Sequence, residues 1–80
     1  MSKLILKIVS PKKLEFSEEV ESVIVPGSEG ELGILPGHAE LATTLREGNV
    51  RFSKNQNTTD FVINGGFMEV SKNEVNILSD

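Results

Sequence analysis

The sequence predicts an all-β domain: a flattened antiparallel sandwich or barrel of nine or so short strands. Three observations predict it. Apolar residues come in runs of about 4–8, many of them alternating with polar ones. Nearly every run is closed by Gly, Pro, Asn or Ser, the residues that turns demand. No segment keeps helical spacing uncontradicted, and strand runs bounded by turn signals are the pattern of sandwiches and barrels.

The elements follow in order. Residues 3–9, Lys-Leu-Ile-Leu-Lys-Ile-Val, are closed by Ser10–Pro11 and form a first strand. Its Leu4, Leu6 and Ile8 share one face and Ile5, Lys7 and Val9 the other, so it reads as covered on both sides for part of its length. Residues 14–25 carry two patterns. Phe16, Val20, Val23 and Ile24 fall at helical spacing behind Ser17 and three glutamates, but the β-branched run Val23-Ile24-Val25 ending at Pro26–Gly27 favours strands at Leu14–Ser17 and Val20–Val25. A short strand is expected at Leu32–Leu35, and residues 38–46 alternate with Ala39, Leu41, Thr43 and Leu45 on one face. Glu47-Gly48-Asn49 reads as a turn before Val50 and Phe52, and Lys54–Thr58 as a polar hairpin tip. Phe61 and Ile63 lead back to Gly65–Gly66, which breaks the run and marks a bulge or a close backbone approach. Phe67–Val70 resumes it, residues 71–74 turn, and Val75–Leu78 is the last strand.

Eighty residues allow one core, so residues 1–80 are expected to be a single domain. The chain has no cysteine, which removes disulfides, thiolate metal sites and a cysteine nucleophile together. No apolar run approaches the ~20 residues that cross a bilayer as a helix, and the N-terminus lacks a signal-peptide core. The expectation is therefore a soluble, intracellular protein. Asp and Glu outnumber Lys and Arg by 12 to 8, and the aromatic residues are four scattered Phe. Nucleic-acid binding wants a basic face and aromatic platforms, so no nucleic-acid partner is expected. A charge-steered partner would be basic where it touches this chain.

The stretch with the most closely specified backbone is residues 23–38, Val-Ile-Val-Pro-Gly-Ser-Glu-Gly-Glu-Leu-Gly-Ile-Leu-Pro-Gly-His. It holds four of the seven glycines and two of the three prolines, the mark of a shaped loop presented to something. Gly27, Gly30 and Gly33 repeat at every third position, but neither a Walker loop nor a dinucleotide motif is spelled, and Glu29 and Glu31 would repel a phosphate. The two carboxylates either keep the loop solvated or meet a basic partner, where an arginine engages them through parallel hydrogen bonds. Glu15, Glu18, Glu19 and Glu21 read as a solvated acidic edge that discourages sheet-to-sheet pairing. His38, the lone histidine, is the one candidate for acid–base chemistry. No nucleophile elbow or metal-ligand cluster accompanies it, so it reads first as a loop residue making a polar contact. No catalytic, cofactor or metal site is expected.

The opening Leu-Lys-Ile-Val-Ser-Pro, Phe16 followed by acids, the stretch from Val23 to Ala39, Gly48, Gly65–Gly66 and the closing Val-Asn-Ile-Leu occur in one order. Together they resemble the epsilon subunit of F-type ATP synthases, called delta in mitochondria, and the likeness runs through most of the chain. It implies a flattened ten-strand β-sandwich, the N-terminal domain of that subunit, at the foot of the rotating central stalk between the gamma subunit and the c-ring. By the same resemblance Ser28, Glu29 and Glu31 face the c-ring, His38, Ala39, Leu41 and Thr43 face gamma, and the domain is non-catalytic and needs no cofactor. Its place would be peripheral, on the cytoplasmic face of a bacterial inner membrane or the matrix or stroma side in organelles, without lipid insertion. One departure stands out: the sequence stops at Asp80, where many relatives continue into a C-terminal helical hairpin that restrains ATP hydrolysis. Either a short form or a domain excised from a longer chain would read this way, and in both cases no helical hairpin and no inhibitory role are expected of these 80 residues. The rival readings are a small hydrolase or ligand-binding barrel using His38, and a free-standing adaptor.

Overall fold

The structure, a computed structural model, describes residues 3–12 and 15–80. Seven strands follow one another: β1 (Leu4–Val9), β2 (Glu15–Val20), β3 (Ser22–Gly27), β4 (Gly30–Ile34), β5 (Leu41–Lys54), β6 (Asn57–Ser71) and β7 (Glu74–Ser79). The all-β expectation is met, and the ambiguous stretch is two strands parted at Glu21. Leu14, placed at the start of the second strand, lies outside the described residues. In β1 the alternation is clean. Leu4, Leu6 and Ile8 are wholly buried, whereas Ile5 and Val9 stay a little over a third exposed, so one face is sealed in the core and the other is only partly covered.

Two expected breaks are absent, and they account for the smaller strand number. β5 runs through Glu47-Gly48-Asn49 and β6 runs through Gly65–Gly66 as one ladder, paired from Leu41↔Val70 to Lys54↔Asn57. Counting the halves of each separately recovers the nine strands of the sequence pattern. The glycines are bends. A straight strand of 15 residues would reach about 50 Å, but the molecule is only 32 Å along its longest axis, so these two strands must curl. Gly66 shows why no other residue bends there: a Cβ would fall 2.1 Å from the Leu78 carbonyl oxygen of β7. A bend and a turn ask for the same residues, and the sequence does not separate them.

The sheet order is β2-β1-β7-β6-β5-β3-β4. All neighbours are antiparallel except β1 and β7, which pair parallel with Leu6 beside Val75 and Ile8 beside Ile77. A parallel pair needs a long crossover, and here everything between β1 and β7 supplies it. The expectation of a wholly antiparallel sheet is corrected at this one pair.

The curl folds the sheet into two layers over one core. The Phe16 ring of β2 lies 5.1 Å from Phe52 of β5 and 6.3 Å from Phe61 of β6, although β1 and β7 separate these strands in the sheet. The Glu21 amide also donates to the Ser53 carbonyl at 2.8 Å. Every strand contributes inward residues to the core, among them Leu6, Val20, Val25, Ile34, Val50, Met68 and Ile77. Full burial of such a side chain stabilises the fold by about 1.5–3 kcal/mol. The hairpins β5–β6 and β6–β7 turn through two residues with positive φ each, Asn55–Gln56 (53° and 67°) and Lys72–Asn73 (51° and 63°). Turns of that hand match the twist of the flanking strands.

Candidate functional site

The glycine-rich stretch folds as the β3–β4 hairpin, with Ser28 and Glu29 as its two-residue tip between the paired Gly27 and Gly30. A Cβ on Gly27 would meet the Gly30 carbonyl oxygen at 2.6 Å, so the tip closes this tightly only over glycine. The hairpin is latched to β5. The Ser28 amide donates to the Thr44 carbonyl at 3.1 Å, and the two hydroxyls, Ser28 Oγ and Thr44 Oγ1, are hydrogen-bonded at 2.6 Å. The tip is therefore held in one position while its carboxylates remain exposed.

Pro26 shapes the other side. Proline has no N–H to give to β5, and β5 bulges opposite it: the pairing steps from Ile24↔Arg51 to Gly27↔Leu45, so three residues along β3 span six along β5. The displaced Arg46–Asn49 segment, with Ile24, Pro26 and Glu31, walls a shallow groove of about 320 Å³. On its rim Arg51 faces Asp60 directly across the β5–β6 ladder, with Nε 2.9 Å from Oδ1 and Nη2 3.4 Å from Oδ2. That hydrogen-bonded pair raises the Arg51 guanidinium above its ordinary value and lowers the Asp60 carboxyl below its own. The nearby Glu31 carboxylate adds a smaller push on Arg51. Both pair members are solvent-exposed, so the pair adds little to stability.

A second groove, of about 500 Å³, gathers most of the residues singled out from the sequence. Ser28, Glu29, Glu31 and Leu32 line it from the hairpin, and Leu41 and Thr43 line it from the start of β5. Leu41 and Thr43 are half-buried and alternate with exposed Ala42 and Thr44, which is the expected face. His38 and Ala39 do not join them. Both are exposed in the 35–40 connection ahead of β5, so Ala39 is off the face it was expected to share. The His38 amide donates to the Leu35 carbonyl at 3.1 Å, and its Nδ1–H donates to the Ala39 carbonyl at 2.7 Å.

Two residues that position this site carry no sequence signal of doing so. Thr44 latches the hairpin tip from 16 positions away. Asn73 sits in the β6–β7 turn, where its Oδ1 accepts from the Gly37 amide at 2.7 Å and so pins the connection that carries His38. An asparagine at a left-handed turn position explains itself locally, and its second role 36 positions away is invisible before folding. Among the described residues no group of His, Asp and Glu is placed to hold a metal ion, and no helix is long and apolar enough to cross a membrane.

The sequence model of the ATP synthase delta/epsilon chain β-sandwich domain matches residues 3–80. The chain belongs to that family. Among its epsilon-chain relatives, the ATP synthase epsilon chain of Pelotomaculum thermopropionicum is 47% identical over 75 residues, covering 94% of this chain and 56% of the relative. That of Leptospira borgpetersenii is 45% identical over 78 residues, covering 98% and 61%. The chain thus spans between half and two thirds of the length of these relatives. Among solved structures, a chain of the Euglena gracilis mitochondrial ATP synthase, described as OSCP/F1/c-ring in a rotational state, superposes with a TM-score of 0.90 at 26% identity. The match covers 99% of this epsilon-family chain and 51% of that chain.

Proposed function

We propose that residues 1–80 form the single N-terminal β-sandwich domain of an epsilon subunit in a proton-translocating F-type ATP synthase. The domain is a non-catalytic part of the central stalk. It clamps the gamma subunit to the c-ring and thereby couples proton flow to ATP synthesis. The observation that carries this reading is the latched β3–β4 hairpin, with Ser28, Glu29 and Glu31 on one wall of a groove and Leu41 and Thr43 on the other, in a chain matched by the family along residues 3–80. Support for a ring partner comes from the Euglena assembly of like fold, whose description includes a c-ring.

Two surfaces divide the work. Ser28, Glu29 and Glu31 meet the c-ring, where exposed carboxylates on a rigid tip engage basic or amide side chains. His38, Ala39, Leu41 and Thr43 meet gamma, and Asn73 keeps the first two of them in place through Gly37. Torque transfer asks for a stiff scaffold with its contact loop fastened to it, and the Ser28–Thr44 latch on a curled sheet meets that need. The domain stands at the cytoplasmic face of a bacterial inner membrane, or on the matrix or stroma side in organelles, attached through its partners. It requires no cofactor. Since every element of the described residues is a strand, helical restraint of ATP hydrolysis is not assigned to them.

The test is calorimetric titration of the 80-residue chain with purified cognate gamma subunit. One-to-one binding is expected, weakened only in part by His38→Ala or Thr43→Ala, because such interfaces spread their energy over several residues. A folded chain that gives no heat and does not co-elute with gamma overturns the reading. A hydrolase using His38 would instead lose nearly all turnover on His38→Ala.

A further inference from the structure

The two outer strands of the sheet are treated differently. β2 is guarded: Glu18 is paired with Lys54, Glu19 lies 4.0 Å from Lys3, and the Glu21 amide just beyond it is bonded to Ser53. β4 carries one charge, Glu31, and two glycines in five residues, and among the described residues it pairs with β3 alone. Bare edges invite strand pairing, and proteins usually block them with charge, proline or cover.

We propose that the outer edge of β4 is a strand-addition site for an extended segment of a partner protein, with a large apolar or aromatic side chain opposite Gly33 and a basic one opposite Glu31. The proposal goes beyond the stalk reading and does not rest on it. The two-residue tip makes Gly27 and Gly30 a hydrogen-bonded pair, so alternation directs the amides and carbonyls of Glu31 and Gly33 away from β3. Pro26 agrees with this phase: it lies opposite Glu31 at a non-bonded position, and its missing N–H faces the β5 bulge. The donors and acceptors an incoming strand needs are therefore on Glu31 and Gly33.

The side chains around them define the occupant. On the outer face Gly33 lies beside Ile24, and a Cβ built on Gly33 meets nothing within 4 Å. Ile24 is 37% exposed and Leu35 61%, and with Gly33 they line a groove of about 320 Å³. A ring on the added strand opposite Gly33 would fill that lane and cover Ile24, the rescue of an edge glycine by an aromatic neighbour. Two residues along, on the same face, stands Glu31 in a chain of net charge −4, which selects a basic side chain. The inward positions, opposite half-buried Leu32 and buried Ile34, call for apolar residues. A second copy of this chain fits worse. Two β4 strands paired antiparallel about Leu32 would set a Glu31 carboxylate against each Gly33, putting charge where the lane beside Ile24 asks for an apolar group.

The test uses the 80-residue chain and a capped peptide containing Val-Phe-Val-Arg-Thr, written to lie antiparallel to Gly30–Ile34 with Phe at Gly33 and Arg at Glu31. NMR titration and amide exchange should show saturable binding, with the Glu31 and Gly33 amides gaining protection. Gly33→Lys, whose side chain enters open space, should weaken binding roughly tenfold or more while leaving the rest of the spectrum unchanged. Replacing the peptide Arg by Glu should do the same. Protection at β2, shifts scattered over the surface, an affinity indifferent to Gly33→Lys, or self-association of the chain through β4 would each overturn the proposal. Gamma binding is not read in this experiment, so a failure here and a failure of the stalk reading are told apart.

Discussion

The two halves of β5 lie in the same strand and are held in opposite ways. The second half, Val50–Lys54, is closed by the packing of Phe16, Phe52 and Phe61, by the Arg51–Asp60 pair and by the Lys54–Glu18 pair. The first half, Leu41–Leu45, is held to the β3–β4 hairpin by the Ser28–Thr44 hydroxyl contact, the Ser28 amide bond to Thr44 and the Gly27–Leu45 ladder pair, and a groove stays open beside it. Aromatic contact and ion pairs close one end, while at the other, where Leu45 joins the core, hydroxyl and backbone bonds fix the hairpin tip and leave the groove beside it open. On the proposed reading this end is touched by partners and keeps its surface free, so its rigidity comes from directional bonds and glycine geometry.

That contrast makes the closed end the place where substitution costs most. Phe52→Ala removes a nearly buried ring and its contact with Phe16 and should destabilise the chain by about 3–5 kcal/mol in urea unfolding. A loss below about 1 kcal/mol would mean that this end is not what closes the sandwich. Gly66→Ala acts at the junction of the halves, opposite Leu45. It should cost about 3 kcal/mol, because Leu78 must move away from the new methyl group. An unchanged melting temperature would count against the close approach of β6 and β7. At the tip beyond the closed end, Gln56 holds a left-handed φ of 67°, so Gln56→Gly should stabilise by about 1 kcal/mol. Destabilisation would show that Gln56 has a role beyond its backbone.

The open end should respond in function and barely in stability. Glu31→Lys lies on an exposed site and should change unfolding free energy by less than about 0.5 kcal/mol. If the proposed c-ring contact holds, it should nonetheless lower ATP-synthesis coupling in membranes, by setting like charges against the basic side chains proposed to meet Glu31. Equal coupling in wild-type and mutant membranes would remove Glu31 from the c-ring contact. The smallest effect is the pH response of the rim pair. Asp60 has a depressed folded-state pKa, so its contribution is present above the ordinary carboxylate pKa and is lost as pH falls through the folded value. Asp60→Asn should flatten that acid limb slightly and leave stability at neutral pH almost unaltered, as urea titrations at several pH values would show.

Much of this molecule was legible before folding. The alternation of Leu4, Leu6 and Ile8, the break at Pro26–Gly27 and the polar tip at Lys54–Thr58 are short-range patterns, and the strands obey them because burial and turn geometry are local demands. That Ser28 and Glu29 sit in a shaped loop was equally readable, since glycine and proline dictate the path of adjacent residues. The strand expected at Leu32–Leu35 is instead Gly30–Ile34, so Glu31 stands on β4 and not in the loop. What only the tertiary structure decided depends on distance along the chain. Gly48 and Gly65–Gly66 became bends because β5 and β6 pair over their whole length, a fact held in neither segment alone. The parallel pairing of β1 with β7, the Thr44 latch and the Asn73 anchor each join segments far apart in the chain. His38 and Ala39 part from Leu41 and Thr43 because they lie in the connection ahead of β5 that Asn73 pins through Gly37. Local sequence chooses strands and turns through a few neighbouring dihedrals. Which strands meet is chosen by the burial of one shared core.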